Sequence, residues 1–173
     1  MREEGFLRAA IEDDLDELVA LWAHYIRDHK HNPAYNRIVR TGFVSRRAAF
    51  ANDIRDEDAA VFVMARRDGG LDGMITCRIE LNKPYFQPHR FGRIQTPYVR
   101  PDARRRGNLK RLLAAAYRWA REKELLEVRL YVGADNVVAN AIAEELGFDA
   151  VAVVRRKAID WSRPPESQVK DHE

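Results

Sequence analysis

The stretch Val99-Arg100-Pro101-Asp102-Ala103-Arg104-Arg105-Arg106-Gly107-Asn108-Leu109-Lys110 decides how this chain is read. It follows a strand-like run over residues 91–99. It opens an amphipathic helix in which Leu109, Leu112, Leu113, Ala116 and Ala120 recur to about residue 124. A glycine-bearing basic turn therefore sits at a helix start. The first N–H groups of a helix have no partner inside it, and the aligned peptide dipoles place partial positive charge there. Both properties suit a phosphate, and three consecutive arginines add cationic charge around it. A solvated charge cluster is the bland alternative, since short basic runs are frequent. Gly107 and the helix behind it favour a phosphate-bearing ligand.

Working outward, residues 5–10 read as a first strand. Ile11, Leu15, Leu18, Val19, Trp22, Tyr25 and Ile26 then recur at helical spacing, with Asp13 and Asp14 placed to cap the start. Residues 28–40 are polar, carry His29, His31 and Pro33, and read as a loop, and residues 42–52 as a shorter helix. Two β-like runs, 59–67 and 71–81, flank Asp68-Gly69-Gly70 and predict an antiparallel hairpin. Residues 82–90 form a loop with Tyr85, Gln87 and His89, and Pro97 inside the next strand predicts a bulge or an unpaired stretch. Beyond the central helix, residues 127–132 alternate Val128, Leu130 and Val132 as a strand. Asp135 or Asn136 caps a helix that Gly147 stops after Leu146. A last strand is expected over 148–159 and a solvated tail over 163–173. The order β-α-α-β-β-β-α-β-α-β describes an α/β sheet with crossover helices after the fourth and fifth strands, in one domain over residues 1–162.

Composition narrows the function. The 173 residues are 46% hydrophobic and 33% charged, as in a globular chain that buries a full core. Thirty basic against 27 acidic residues leave a net charge of only +3, which speaks against general nucleic-acid binding. Cys77 is the sole cysteine, so no internal disulfide and no cysteine-based zinc cluster can form, and its apolar setting favours a buried thiol over a nucleophile. The histidines do not group with carboxylates at metal-ligand spacing, so no metal is expected, and His29, His31 and His89 read as loop residues. Trp22, Tyr25, Tyr117 and Trp119 read as core or interface, the latter admitting a homodimer. No apolar run reaches membrane-spanning length and no signal-type segment follows Met1, so a cytoplasmic location is expected. Walker-type and dinucleotide fingerprints are absent.

Residues 91–113 resemble the acetyl-CoA-binding motif of the GNAT acyltransferase superfamily, a strand ending in Val-x-Pro, then Arg-x-x-Gly-x-Gly/Ala, then an apolar helix. The matches are Val99, Pro101, Arg104 and Gly107, followed by Lys110, Arg111, Leu112 and Leu113. A second motif, Asn-x-x-Ala ending in Leu-Gly-Phe, is matched by Asn136, Ala139, Leu146, Gly147 and Phe148. Together they extend the resemblance over about residues 5–160. It implies an α/β GNAT fold, with a mixed sheet of six or seven strands, helices on both faces and a splayed parallel pair binding acyl-CoA. It also implies transfer of an acetyl group from acetyl-CoA to a small-molecule or peptide amine. Backbone N–H groups from Arg104 through Arg105, Arg106, Gly107, Asn108 and Leu109 would hold the pyrophosphate. Tyr98 and Val99 would offer the strand edge to the pantetheine arm, and Asn136 would contact that arm or help hold the strands apart.

The chain departs from the family pattern in three ways. Leu109 stands where a glycine or alanine is usual, Ala143 where many relatives place the tyrosine acid, and Arg93 and Gln95 where a base carboxylate often lies. Tyr131 and Tyr98, on the strands expected to flank the thioester, are the substitute acids, and Gln95 would orient a water. Two other classes of function compete: an acyl-CoA-binding module without chemistry, and an anion or nucleic-acid binder using Arg104, Arg105 and Arg106 directly.

Overall fold

The computed structural model describes residues 5–32, 35, 38, 39, 41–67 and 69–162. Asp68 of the expected turn and the expected tail lie outside the described residues. The chain divides into two compact units, residues 1–135 and 136–173.

The first unit carries β1 (Phe6–Ala9), α1 (Leu15–Asp28), α2 (Gly42–Arg55), β2 (Ala59–Ala65), β3 (Leu71–Leu81), β4 (Arg90–Val99), α3 (Asn108–Glu122) and β5 (Val128–Leu130). Its sheet runs β1-β2-β3-β4-β5, antiparallel except for the parallel pair β4 and β5. That one parallel pairing follows from α3, because a strand can return in the same direction only through a crossover.

The central strands β2 and β3 are mostly apolar and largely buried on both faces over residues 61–65 and 71–77. Leu18 and Leu21 of α1 and Phe50 of α2 pack with Val61, Val63, Met74 and Tyr98, all buried. Leu112, Ala116 and Trp119 of α3 are buried against the other side of the sheet, reached by Gly73 and Gly92. Cys77 is buried, and burial pushes its thiol up to about 12, which leaves it inert. The entry to α1 is fixed by Asp14, which accepts the Ile11 N–H at 2.9 Å and both Arg8 terminal nitrogens at 2.6 and 2.8 Å. Ile11 itself is exposed, outside the helix face the sequence assigned to it.

The bulge expected at Pro97 is present. Thr76 pairs with Gln95 and Met74 with Tyr98, so Ile75 alone faces Thr96 and Pro97, and Thr96 takes a left-handed φ of 49°. Gly73 lies beside this bulge because a Cβ there would come 2.8 Å from the Tyr98 carbonyl oxygen.

The sheet has five strands, not six or seven. In the second unit, α4 (Val137–Glu145) is capped by Asn136 and ends before Gly147 at φ 82°. The strand expected over 148–159 does not form; residues 149–162 are exposed and make no ladder. A strand is stabilised by its neighbours rather than by its own alternation. This unit holds no partner strand among its described residues, and Arg155-Arg156-Lys157 interrupts the apolar pattern.

Candidate active site

The turn before α3 is built from backbone. Arg105 and Gly107 both adopt left-handed conformations, with φ of 62° and 74°. Gly107 caps α3 without any side-chain hydrogen bond. The first bond of the helix runs from Arg111 N–H to the Gly107 carbonyl, and the six N–H groups from Arg105 to Lys110 make no close hydrogen bond to a described residue. Nothing lies within 4 Å of where a Gly107 Cβ would stand, so the space beside the cap is open. Asn108 is buried and anchors the turn, its Nδ2 donating to the Ala103 carbonyl at 3.0 Å while its Oδ1 has no partner. Leu109 is half-buried.

Beside this turn, β4 loses its neighbour. The parallel pairing ends at Ile94 opposite Leu130, whereas β4 continues to Val99. Gln95 to Val99 therefore present an open edge on the β5 side. Arg100 N–H donates to the Asp72 carbonyl, so the ladder alternation turns the N–H and carbonyl of Val99 away from β3. The Val99 carbonyl is taken by Arg104 Nε at 2.9 Å, and its N–H remains at the open edge.

Arg104 has a second bond. Its Nη2 donates to Asp28 Oδ2 at 3.1 Å, and the same oxygen accepts the Tyr98 hydroxyl at 3.0 Å. Burial, reinforced by the Asp28 carboxylate, pushes the Tyr98 phenol up to about 12. Arg104 thus braces the end of β4 against the end of α1, while Arg105 and Arg106 are exposed and carry no ion pair among the described residues. The end of α1 also reaches the segment beyond β5: Asn32 Nδ2 donates to Asp135 at 3.1 Å, and His31 lies 4.0 Å from the same carboxylate. The segment after α1 thus touches the segment after β5.

Tyr131 lies one residue beyond β5, not within it, and is 57% exposed. The Arg93 guanidinium stacks over its ring at 4.4 Å. Tyr131 follows Leu130, the last residue paired with β4, and the Gln95 side-chain amide makes no hydrogen bond to a described residue. Asn136 lies in the second unit, where its side chain accepts the Ala139 N–H at 3.0 Å as the cap of α4. His89 pairs with Gln87 in the exposed 82–90 loop, and His29 packs on Tyr25 at 4.4 Å between ring centres. Sequence reading missed Asp28, because nothing local marks a residue whose partners lie 70 and 76 positions away.

Among the described residues, no cluster of His, Cys, Asp or Glu could hold a metal ion, and no helix is long and apolar enough to cross a membrane.

A bulged strand parting from a parallel neighbour, beside a left-handed turn whose N–H groups lack close partners among the described residues, defines an α/β fold of the acyltransferase type. The family model described as the acetyltransferase (GNAT) family matches residues 15–148, and the chain belongs to that family. Solved structures share the fold at low identity. A point mutant of the BH1408 protein from Bacillus halodurans is 15% identical with a TM-score of 0.77, over 89% of this chain and 99% of that one. A predicted acetyltransferase with acetyl-CoA from Clostridium acetobutylicum is 15% identical with a TM-score of 0.73, over 88% and 95%. An aminoglycoside 6'-N-acetyltransferase from Acinetobacter haemolyticus is 22% identical with a TM-score of 0.66, over 90% and 99%. No curated protein sequence matches the chain.

Proposed function

We propose that this protein transfers the acetyl group of acetyl-CoA to an amine, with both substrates bound together. The observation that carries the reading is the run of six N–H groups from Arg105 to Lys110 without a close partner among the described residues, directly following the open edge of β4. Helix-start N–H groups suit a pyrophosphate, and an open strand edge suits the amides of a pantetheine arm. Exposed Arg105 and Arg106 supply the mobile charge, whereas Arg104 holds the site in shape. The orphaned Asn108 Oδ1 and the vacant side of Gly107 fit a turn made to approach a ligand closely.

Acetyl-CoA supplies an activated acyl thioester. The neutral amine attacks its carbonyl carbon, the C–N bond forms, the C–S bond breaks, and the amine proton passes to solvent while the thiolate is protonated. Holding both reactants in place supplies much of the rate. The Val99 N–H polarises the carbonyl oxygen. Gln95 orients a water that accepts the proton. Tyr131, exposed just after the last β5 residue paired with β4, is the better placed acid, since Tyr98 already donates its proton to Asp28.

That last bond also supports a second reading, a module that binds acyl-CoA without chemistry, because Ala143 and Tyr98 both leave the usual acid unsupplied. An amine panel assayed for acetyl-CoA-dependent thiol release separates the two. Acetylation of any amine supports transfer, and acetyl-CoA binding without turnover across the panel supports the module.

A further inference from the structure

The fold answers nearly every internal arginine with a carboxylate. Arg78, Arg93 and Arg129 stand opposite one another across three strands, where like charges repel. Each is matched: Arg78 by Asp53 and Asp56, Arg93 by Glu80, and Arg129 by Glu127.

Of the two half-buried arginines with no carboxylate among the described residues, Arg111 on α3 donates to the Gly5 carbonyl at 3.0 Å, which leaves Arg46 on α2. Its Nε is buried with no hydrogen-bond partner, and it forms no ion pair among the described residues. Its guanidinium stacks on the Phe50 ring at 4.2 Å, and its Nη2 lies 3.4 Å from Thr96 Oγ1, a long contact. Asp53 acts on it from a distance, but that carboxylate is engaged by Arg78. Burial pulls its pKa down from the ordinary arginine value. A half-buried cation without a counter-ion is costly to hold in a folded protein, so its retention calls for a partner from outside. Its location names the partner's role. Thr96 is the bulge residue three positions before Val99, and Arg46 also lines an open hollow of about 380 Å³ between α1 and α2. Trp22, Ile38, Val39 and Ala49 make that hollow apolar, and Arg46 is the one charged residue among its described lining.

Resting on the transfer reading above, we propose that the acceptor is an amine that also bears an anion, received by Arg46, with an apolar portion in the hollow. A polycationic acceptor would meet the wrong charge here.

The test uses the full chain with acetyl-CoA and four matched amines: leucine, its phosphonate analogue, leucinamide and 3-methylbutylamine, followed by thiol release. The wild type is expected to favour an anion-bearing amine by about thirtyfold or more in kcat/KM, the scale of one buried charge partner. That preference runs against intrinsic reactivity, because leucinamide has the less basic amine. Preference for leucine or for its phosphonate tells a carboxylate from a phosphate-like anion. Arg46→Met should abolish the preference through KM for the anionic amine, leaving the KM for acetyl-CoA and the leucinamide rate unchanged. Arg46→Lys should restore part of it. Arg46→Met should also unfold at the same or a higher temperature than wild type, since it removes an unmatched buried charge.

Equal rates for leucine, its phosphonate and leucinamide in the wild type overturn the proposal. So does a fall in Tm in Arg46→Met with discrimination intact, which would make Arg46 structural. If no amine is acetylated, calorimetry of leucine and leucinamide against the CoA complex decides. Leucine binding that depends on Arg46 upholds the anion site while the transfer reading fails, and no such binding overturns both.

Discussion

Two replacements of Gly107 should move stability and affinity in opposite directions. The residue has φ 74°, and a Cβ there would meet nothing within 4 Å. Gly107→Ala therefore creates no clash, and its cost is confined to a left-handed backbone, about 1–2 kcal/mol. Gly107→Glu carries the same backbone cost. Its carboxylate, however, lies at the start of α3, where the helix dipole returns about 0.3–1 kcal/mol. Without ligand, the glutamate variant should thus unfold at or above the temperature of the alanine variant. With acetyl-CoA the order reverses. A carboxylate about 4 Å from a phosphate charge costs about 1 kcal/mol in water and about 4 kcal/mol near a protein surface. The dissociation constant should then rise roughly five- to several-hundred-fold beyond that of Gly107→Ala, and the gap should narrow as salt is added. Thermal unfolding and calorimetry on the two proteins read both effects. Equal acetyl-CoA affinity in the two folded variants would refute the assignment of this turn to the pyrophosphate.

Other perturbations follow from named contacts. Asp14 is buried, which raises its pKa, but the Arg8 and Ile11 hydrogen bonds outweigh this and hold its carboxyl below the usual range. Its stabilisation is complete above the ordinary carboxylate pKa near 4 and is lost as pH falls through the lower folded value. Asp14→Asn should cost about 1–3 kcal/mol at neutral pH and flatten the acid limb of the stability curve, measured by denaturant titration at several pH values. Leu109→Gly should tighten acetyl-CoA while lowering stability by about 1 kcal/mol from propensity plus the loss of a half-buried side chain; lost stability without gained affinity would make Leu109 a packing anchor only. Tyr131→Phe should leave stability unchanged and reduce kcat by roughly ten- to a thousandfold. Tyr98→Phe should instead lose about 1–3 kcal/mol of stability by removing the donor to Asp28, with the smaller effect on kcat. Equal kcat in both phenylalanine variants would favour departure of the thiolate without an acid.

The sequence was most legible where a signal is local. Pro97 announced the bulge because proline cannot donate to a ladder, and Gly107 announced the turn because a left-handed residue was needed before the apolar stripe of α3. Gly147 likewise marked the end of α4. Long-range pairing was less legible. Val128, Leu130 and Val132 alternate like a longer strand, yet pairing stops at Leu130, and this early stop is what leaves β4 open. The alternation over 148–159 misled for the complementary reason, since apolar spacing reports what a strand could bury and not whether a neighbour is there. Asp28 and Arg46 were invisible because their meaning lies in tertiary contacts, with Tyr98 and Arg104 for one and Thr96 for the other.

In the structure Arg104 is engaged by the protein itself. Three adjacent arginines look equivalent in a sequence, and all three were expected to surround a phosphate. Arg104 instead donates to the Val99 carbonyl and to Asp28, so it closes the acceptor at the end of β4 and leaves that strand's N–H as the free group. The turn and the edge then both present donors, which is the polarity that a diphosphate and a developing oxyanion require. Backbone N–H groups survive any side-chain substitution, so such a site depends only on the few residues that set the backbone: Gly73 beside the bulge, Thr96 within it, and Gly107 at the cap. Solved structures share the fold at 15% identity. Under the acceptor proposal, side chains such as Arg46 rather than the backbone would select the acceptor.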